Sequence, residues 1–359
     1  MVSSVPPLEL SLEITPRGRL DVIDVRALAA ATYGDVFDRH GRCLYCSLHT
    51  TAGYLPQSFV SRLGSGPQAV LPYIDVFTTV FPEGAGYLHD QLDLRNELTP
   101  EQRPVEPTNA DSHLAFIGSG LRPCVSYVTR RPGPVSFIDL DGVNAGTPRR
   151  RMTTLVGYDS EIEVEKTILH VPVSRTHPVD AVNLKDPRLG LYDQLDDLIK
   201  KHGIEKGRIR LNLGSGEQFA SLTVNEYETL LMRYDLAEVL KNPLRFAAQK
   251  ARHAWNDPRA LPSKTIDYAK YDLVRAINRL VDALGLAESA IERVLAQALA
   301  VPASRFLRMK RSVDLLVSDS KTPGSPMVIE GTYQAPILVQ WRKAHLGERQ
   351  VTVTLTRFI

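Results

Sequence analysis

The sequence has few cysteines, no long apolar run and almost no excess of charge of either sign. Its 359 residues include three cysteines, which cannot all pair with one another. No stretch approaches the roughly 20 consecutive apolar residues that a helix needs to cross a bilayer. Basic residues number 43 and acidic residues 41, for a net charge of +2. That balance gives no electrostatic reason to expect binding to nucleic acid or to an anionic membrane.

The N-terminus also lacks the features of a secretion signal. Residues 1–14 have neither a basic start nor a continuous apolar core, so we expect a cytoplasmic protein. Hydrophobic residues make up 43% and charged residues 23% of the chain, which is typical of a globular protein, and the length suffices for two domains. The one dense basic run, residues 149–151, is interpreted as a solvated strand end.

Two of the cysteines, Cys43 and Cys46, form a CxxC motif, which can mark a metal or redox site. The surrounding residues 42–49 have instead the pattern of a buried strand, on which side chains three apart point to opposite faces. No second CxxC is present to complete a zinc site. We therefore predict that both cysteines belong to the core of a strand.

The same series of patterns occurs twice along the chain, and the first series begins near residue 15. Residues 15–25 alternate between apolar and polar, as in a half-buried strand, and residues 25–38 have a helical pattern. A His-Gly turn and an apolar strand at 42–48 follow. The series ends with a polar loop of small residues at 49–58.

The second series begins near residue 170 and has the same order. An alternating strand at 170–182 precedes a helix at 193–201, a second His-Gly turn, an apolar strand at 207–213 and a loop at 217–226. Each copy then closes with strands joined by Pro/Gly turns. The sequence therefore predicts an internal duplication with low identity between the copies. One large α+β domain with coincidental turns is the alternative.

The two copies differ between the loop and the closing strands. The second copy carries additional helical patterns at residues 271–286 and 288–300. We place the boundary between the copies near Asp159 and Ser160. The expected fold is α+β, with two tandem domains at residues 1–159 and 160–359, each a mixed β-sheet sandwich or barrel with flanking helices.

Three motifs of the first copy carry a resemblance to a known family. His49-Thr50-Thr51-Ala52-Gly53 follows an apolar strand, Tyr87-Leu88-His89-Asp90 comes next, and Asn109-Ala110-Asp111-Ser112-His113-Leu114 is the third. In this order they resemble the HTTAG or HTSAG segment, the tyrosine and histidine, and the N-A-D-x-H-L run of the YjbQ family. The resemblance spans most of residues 12–158.

The family's last landmark, G-T-W-Q-G, is missing from the first copy. The second copy has Gly331-Thr332-Tyr333-Gln334-Ala335 in its place, and its Leu222-Thr223-Val224-Asn225-Glu226 resembles the family's L-T-I-N-E. Glu217 stands where the family has its first histidine, and no aspartate–histidine pair matching the first copy follows. Each copy thus keeps motifs that the other has lost.

The resemblance implies a function and an assembly. Secondary thiamine-phosphate synthase activity, which joins a pyrimidine pyrophosphate to a thiazole phosphate, is the activity associated with the family, and its members form trimers. It implies an enzyme acting on a small phosphorylated metabolite, in thiamine-phosphate synthesis or in specialised biosynthesis, with a homo-oligomeric assembly. A non-catalytic ligand-binding or scaffold protein derived from the family is the alternative. Neither nucleic acid nor membrane is an expected partner.

The residue types of these motifs suit two kinds of chemistry. Asp111 and His113 lie two apart and share one face if the backbone is extended. Such a pair can bind a divalent metal such as Zn²⁺ or Mg²⁺, with His49 or His89 completing the ligand set. Alternatively, the carboxylate orients an imidazole that moves protons near neutral pH. The predicted catalytic residues are His49, Asp111 and His113, and the predicted metal ligands are His49, His89 and His113.

The polar residues beside these motifs are the predicted substrate contacts. They come from both copies: Thr50, Thr51, Asn109, Asn225, Glu226 and Gln334. Because each copy has lost different motifs, we expect a composite site to which the second copy contributes Asn225, Glu226 and Gln334. The Gly118-Ser119-Gly120 turn could expose backbone N–H groups to a phosphate, although such turns are common. As an ordinary alternative, Asn109 and Asp111 could cap a turn or a helix.

Overall fold

The computed structural model describes residues 5–64, 66–95, 98–226, 308 and 310–359. Its contacts divide the chain into two compact units. The first unit takes in the described residues up to Pro67, together with Leu121–Asn225 and Lys310–Ile359. The second unit takes in the described residues of Gln68–Gly120, with Glu226 and Arg308. The predicted boundary at Asp159 concerns the internal repeat, not this division, and stays a prediction.

All of the described strands belong to the first unit. They are, in chain order, β1 (Leu8–Ile14), β2 (Asp21–Asp24), β3 (Arg42–Ser47), β4 (Ala52–Tyr54), β5 (Cys124–Val128), β6 (Ser136–Asp139), β7 (Val143–Asn144), β8 (Thr147–Pro148), β9 (Arg151–Tyr158), β10 (Glu161–Pro172), β11 (Asp180–Asn183), β12 (Lys206–Leu213), β13 (Ala220–Asn225), β14 (Ser312–Ser318), β15 (Met327–Ile329), β16 (Ala335–Gln340) and β17 (Glu348–Phe358).

Helices occur in both units. The α-helices are α1 (Val25–Tyr33), α2 (Gln57–Leu63) and α5 (Leu191–His202) in the first unit, with α3 (Leu71–Val80) and α4 (Ala110–Gly118) in the second. Short 3₁₀ turns cover Val36–Arg39, Pro67–Val70, Leu92–Leu94, Arg103–Val105 and Pro187–Leu189. The predicted helices at 271–286 and 288–300 lie outside the described residues. The α+β class is confirmed.

The strands of the first unit form two large sheets, two three-stranded sheets and the two-stranded sheet β7-β8, and the order of the paired strands β1-β9-β3-β5 is repeated by β10-β17-β12-β14. The first large sheet has the order β1-β9-β3-β5 and the second β10-β17-β12-β14-β15; the small sheets are β2-β6-β4 and β11-β16-β13. All pairings among these strands are antiparallel. The first half, up to residue 159, opens with β1, which pairs with its closing strand β9, and β9 also pairs with β3, which follows α1. The second half, from residue 160, opens with β10, which pairs with its closing strand β17, and β17 also pairs with β12, which follows α5.

The helix α5 shows how local sequence produces this order. Leu191, Leu195 and Ile199 recur every four residues and are buried, while the charged residues between them face outward. The helix ends at Gly203, whose φ of 55° is the left-handed conformation that glycine adopts without strain. Its apolar side packs on the core of the second large sheet, as the sequence pattern predicts.

The CxxC motif lies in β3, and its prediction as strand core is confirmed. Cys43 packs with Tyr45 in the core shared by the first large sheet, the first small sheet and α1, whereas Cys46 packs with Leu44 on the opposite face. All three cysteines are buried and none forms a disulfide. Burial raises the pKa of the Cys43 thiol to about 12, so this thiol is not a nucleophile at neutral pH.

The outer faces of the two large sheets pack on each other in the first unit. The first sheet contributes Leu44, Cys46, Cys124, Val156 and Tyr158, and the second contributes Leu316, Ile329 and Phe358. The rings of Tyr158 and Phe358 are stacked, with centroids 4.1 Å apart and planes inclined by 9°. The two halves therefore share a continuous apolar interface.

The prediction of polar loops at residues 49–58 and 217–226 is wrong, because each of these segments contains a strand. Ala52–Tyr54 within the first loop forms β4 and pairs with β6, and Ala220–Asn225 within the second forms β13 and pairs with β16. Both short strands are buried on both faces. A strand of this kind has no apolar–polar alternation, so its small and polar residues resemble a loop. None of the described helices is long and apolar enough to span a membrane.

Candidate functional site

Two histidines and a glutamate of the second unit lie close together. His89, His113 and Glu226 each offer one ligand atom, and these atoms all lie within 4.8 Å of one another. The Nε2 of His113 is 3.4 Å from Oε2 of Glu226. The two imidazole rings are 5.1 Å apart between centroids, with planes inclined by 58°. Both histidines are fully buried, and the Glu226 side chain is 12% exposed. These three residues could hold a metal ion.

Asp90 positions one of the two histidines. Its Oδ1 lies 3.3 Å from Nδ1 of His89 and accepts a hydrogen bond of 3.0 Å from the backbone N–H of Ala110. Because Ala110 is the first residue of α4, this carboxylate ties the His89 segment to the helix that carries His113. A carboxylate on Nδ1 fixes the ring and leaves Nε2 as the ligand atom, which is the usual arrangement around metal-binding histidines.

Arg95 holds the glutamate of the cluster. One of its terminal nitrogens lies 3.0 Å from Oε1 of Glu106 and the other 3.3 Å from Oε1 of Glu226. The guanidinium is 2% exposed, and buried charges of this kind are stable only when paired. Glu226 thus uses one oxygen for Arg95 and presents the other to His113. In the contacts of the described residues, three carboxylates, those of Asp90, Glu106 and Glu226, accompany the guanidinium of Arg95, which favours a cation.

Asp111 does not pair with His113 in the predicted manner. The extended backbone expected for these residues is wrong, since both belong to α4. Residues two apart on a helix point about 200° away from each other around its axis, so they do not share a face. Asn109 occupies the N-cap position of α4, but its side chain makes no capping hydrogen bond there, so its alternative interpretation as a helix cap is not supported. Residues 114–117 continue the helix, since none of them is Pro or Gly, and Gly118 is its last residue.

The phosphate cradle predicted at residues 118–120 is also wrong. Gly118 is the last residue of α4, and the next two backbone N–H groups are turned back to the helix. Ser119 N donates to Ala115 O over 2.9 Å, and Gly120 N donates to Ile117 O over 3.3 Å. A helix C-terminus also carries the negative end of the helix dipole, which repels a phosphate.

His49 lies in the first unit, at the end of β3. Its Nε2 accepts a hydrogen bond of 2.8 Å from the backbone N–H of Met152. Burial lowers the pKa of His49 to about 3, and the nearby charges of Arg151 and Arg149 act in the same direction. The ring is therefore neutral at pH 7 and serves as an acceptor. Of the three predicted metal ligands, His89 and His113 belong to the cluster, with Glu226 as its third member.

The loop after His49 is held by two residues predicted as substrate contacts. Asn225, at the end of β13, is fully buried and donates from Nδ2 to the carbonyl of Thr50 over 3.2 Å. Gln334 donates from Nε2 to Ser47 O over 3.1 Å and to His49 O over 2.9 Å. Both side chains thus fix backbone of the first half from positions in the second half.

A close approach of two backbone segments explains why the Gly-Thr-Tyr-Gln segment begins with glycine, at Gly331. A Cβ at this position would lie 1.9 Å from the carbonyl oxygen of Leu48, which no side chain permits. The backbone N–H of Gly331 donates to Oε1 of Gln334 over 2.9 Å. The segment therefore lies directly against the strand end that carries His49, and only glycine allows this approach.

The basic run at 149–151 is more than a solvated strand end. Arg151 is buried and binds both oxygens of Asp139, with distances of 2.7 and 2.8 Å, and its guanidinium reaches Thr51 Oγ1 at 3.3 Å. Burial raises the pKa of Asp139, and the Arg151 charge opposes this rise. The expectation holds for Arg150, which is exposed and pairs with Glu13. It is wrong for Arg151, because a buried carboxylate requires a partner.

No family model and no curated protein matches this chain. Solved structures do resemble part of it. A YbjQ-like protein of unknown function from Sulfolobus solfataricus P2 is 16% identical, with 55% of this chain and 99% of that chain covered and a TM-score of 0.29. An uncharacterized conserved protein of the yjbq family from Clostridium acetobutylicum is 12% identical, with 54% and 99% covered and a TM-score of 0.26. A hypothetical protein from Aeropyrum pernix K1 is 14% identical, with 54% and 98% covered and a TM-score of 0.27. Slightly more than half of this chain thus corresponds to nearly the whole of each of these proteins.

Sequence reasoning missed part of the cluster. Glu226 is a predicted substrate contact and not a predicted metal ligand, and neither Arg95 nor Glu106 was a candidate. Arg95 and Glu106 each follow a short 3₁₀ turn, in a segment without periodicity. The one signal in the sequence is that the Leu-Thr-Val-Asn-Glu segment ends in an acidic residue, Glu226. This marked Glu226 as a candidate site residue but did not indicate that it could be a metal ligand.

Proposed function

We propose that this protein is a metal-dependent enzyme that acts on a small phosphorylated metabolite at His89, His113 and Glu226. The observation that carries the proposal is the grouping of the three ligand atoms within 4.8 Å. Two histidines with one glutamate form a ligand set of catalytic zinc sites, which leave the fourth position open to water or substrate. The 3.4 Å between His113 and Glu226 equals the roughly 3.4 Å that separates two ligands at about 2.1 Å from a tetrahedral zinc ion.

The residues around the ligands fit this role. Asp90 orients the His89 ring from its Nδ1 side, and Arg95 holds Glu226 by the oxygen that does not face His113. Such outer contacts keep ligands in place and commonly affect metal affinity as strongly as the ligands do. A bound divalent metal would polarise a phosphoryl oxygen or lower the pKa of a bound water. The burial of both histidines would keep bulk water from the reacting groups.

The tandem organisation is part of the same proposal, with residues 1–159 and 160–359 as two copies of a YjbQ-like domain. The repeated strand order of the two halves supports it. In a crystal structure, the backbone of β1, β9, β3 and β5 is then expected to superimpose on that of β10, β17, β12 and β14. A different order or chain direction in either half would exclude a duplication.

Metal binding is the first test. The purified chain is stripped with a chelator, dialysed and titrated with Zn²⁺, Mg²⁺ or Mn²⁺ by calorimetry, and its metal content is measured by mass spectrometry. We expect about one equivalent of a divalent metal in the wild type. His113→Ala and Glu226→Gln should each lose it, whereas His345→Ala, an exposed histidine of the first unit, should keep it. Circular dichroism confirms that the variants are folded.

The alternative is a buried ion-pair network, in which His113 and Glu226 contact each other and Arg95 without a metal. Absence of binding by the wild type, or full binding by His113→Ala, would establish that alternative. The enzymatic part is tested on a panel of phosphorylated metabolites with mass-spectrometric detection. Consumption should require the metal and disappear in His113→Ala. A protein that binds the metal and consumes no compound of the panel would be the non-catalytic binding protein.

A further inference from the structure

Two of the buried cysteines lie directly opposite each other on neighbouring strands of the first unit. In the antiparallel pairing of β3 with β5, Cys46 is the register partner of Cys124. Both side chains point to the same face, since both belong to the apolar core between the two large sheets. Cys43 has Tyr127 as its partner and belongs to the core on the other face. Cys46 and Cys124 are therefore cross-strand neighbours, and Cys43 points away from both.

A backbone hydrogen bond at the end of this strand pair shows which kind of pair the two cysteines form. Ser47 N donates to Pro123 O over 2.8 Å, one residue beyond the cysteines and in the same register. Hydrogen-bonded and non-hydrogen-bonded pairs alternate along an antiparallel ladder, so Cys46 and Cys124 form a non-hydrogen-bonded pair. In pairs of this kind the Cα atoms are about 4.5 Å apart and the side chains are at their closest.

The spacing of such a pair suits a disulfide bond. Disulfides join residues whose Cα atoms are about 4.4–6.8 Å apart and whose Cβ atoms are about 3.5–4.5 Å apart. Cβ atoms of opposite residues in a sheet start at about 4.5 Å, so the strands need to approach by less than about 1 Å. Because β5 lies at the edge of the first large sheet and pairs there with β3, it can make this shift without breaking a second ladder.

The surroundings of Cys124 describe its resting state and its access. Burial raises the pKa of the Cys124 thiol well above its ordinary value, and the neighbouring Cys46 side chain raises it further. Since the thiolate is the reactive form, the pair stays reduced unless an oxidant is sustained. Cys124 also lines a cleft of about 720 Å³, together with Val125 and Ser126 of the same strand. A small uncharged oxidant can reach the sulfur through this cleft.

We propose that Cys46 and Cys124 form an oxidation site, at which a peroxide converts the two thiols into a cross-strand disulfide. In the first step, the sulfur of Cys124 attacks one peroxide oxygen, the O–O bond breaks, and the S–H proton leaves with the other oxygen as water. The product is a sulfenic acid, S–OH. In the second step, the sulfur of Cys46 displaces that hydroxyl, which leaves with the Cys46 proton as a second water. Two electrons thus pass from the thiols to hydrogen peroxide.

The test exposes the reduced full chain to hydrogen peroxide and counts free thiols after unfolding, by alkylation and mass spectrometry. The count should fall from three per chain to one and return to three with dithiothreitol. Cys43→Ala is the matched control, because it removes the buried cysteine on the other face; it should form the same cross-link and keep no free thiol. Cys46→Ala and Cys124→Ala should form no disulfide and keep two sulfurs that are not cross-linked. Circular dichroism verifies that the three variants are folded.

The order of the two steps is tested in Cys46→Ala, which lacks the second thiol. Its Cys124 should accumulate as a sulfenic acid and be labelled by dimedone, whereas the wild type should give little label because the disulfide forms instead. Dimedone on Cys43 and none on Cys124 would contradict the proposed access through the cleft.

Three results would overturn the proposal. The first is a wild type that keeps three free thiols after exposure to the peroxide. The second is a disulfide within the Cys43–Cys46 motif or between two chains, read from peptide mapping and a non-reducing gel. Both are measured on the wild type, so neither depends on how well a variant folds. The third is a cross-link that persists in Cys46→Ala, because it would join Cys43 to Cys124 across opposite faces of the sheet.

Discussion

Removing the guanidinium of Arg151 should destabilise the protein strongly. Arg151 binds both oxygens of Asp139, and neither side chain is more than 4% exposed. The same guanidinium donates to the carbonyl of Asp141 at 2.6 Å. Arg151→Met keeps the length of the side chain and leaves an uncompensated carboxylate in the core. Removing one partner of a buried pair costs about 3–5 kcal/mol, which is the expected loss at pH 7.

The size of this loss should depend on pH. Burial already raises the pKa of Asp139, and Arg151 is the first of the groups that lower it again. Without Arg151, the folded protein would bind a proton at Asp139 at still higher pH, while the unfolded carboxyl keeps its ordinary pKa. Between these two pKa values the folded state binds more protons, so the free energy of unfolding falls as pH rises. Arg151→Met should therefore be less destabilised at pH 5 than at pH 7.

The measurement is urea unfolding, followed by circular dichroism at both pH values. Arg150→Met is the matched control, because the neighbouring arginine is exposed and pairs with a surface glutamate. It should unfold close to the wild type. The double variant Asp139→Leu with Arg151→Met should recover part of the stability, since the buried charge is removed together with its partner. Equal unfolding of Arg151→Met and Arg150→Met would refute the reasoning, and so would a loss that grows at low pH.

Three further predictions concern the strand end at His49. Gly331→Ala should lower the midpoint of thermal unfolding far more than Gly216→Ala, because a Cβ at Gly331 meets a backbone oxygen at 1.9 Å and one at Gly216 meets nothing within 4 Å; equal midpoints would contradict this close approach. Gln334→Ala removes three hydrogen bonds to backbone groups and should lower the free energy of unfolding by about 1–3 kcal/mol, measured by urea unfolding. The pKa of His49 is lowered from 6.5 to about 3, so nitrogen NMR shifts of its ring should show a neutral imidazole at pH 5. Because the folded state then binds fewer protons than the unfolded state, His49 should contribute a loss of stability as pH falls below about 6.5; a ring that titrates near 6.5 would show that it is not held as an acceptor.

The strand and helix patterns of long elements could be predicted from the sequence. The apolar spacing of α5 led to a helix at the expected place. The two alternating segments were right only in part: residues 15–25 contain the short strand β2, and residues 170–182 hold the end of β10 and most of β11 with a non-strand stretch between them. The burial of Cys43 and Cys46 on opposite faces also followed from their spacing. These features are local, because period and spacing determine which face of an element is apolar.

The candidate site could be predicted only in part, for reasons of distance and backbone conformation. The motifs around His89 and His113 pointed to residues that do lie together. Whether Asp111 shares a face with His113 depends on a choice between helix and strand, which two residues cannot decide. The third ligand, Glu226, lies far along the chain, and spacing carries no information about which distant residue returns to a site. Arg95 and Glu106 are recognisable only from the structure, in which Arg95 contacts the carboxylates of both Glu106 and Glu226.

The positions of the three candidate ligands along the chain have a consequence for how such a centre would assemble. His89 and His113 come from the first half and Glu226 from the residue directly after β13 in the second. A single polypeptide therefore supplies the whole set, and metal affinity should stay constant on dilution, unlike that of a centre shared between separate subunits. Cutting the chain at the predicted repeat boundary would turn this property into a concentration-dependent one, even if both fragments remained folded.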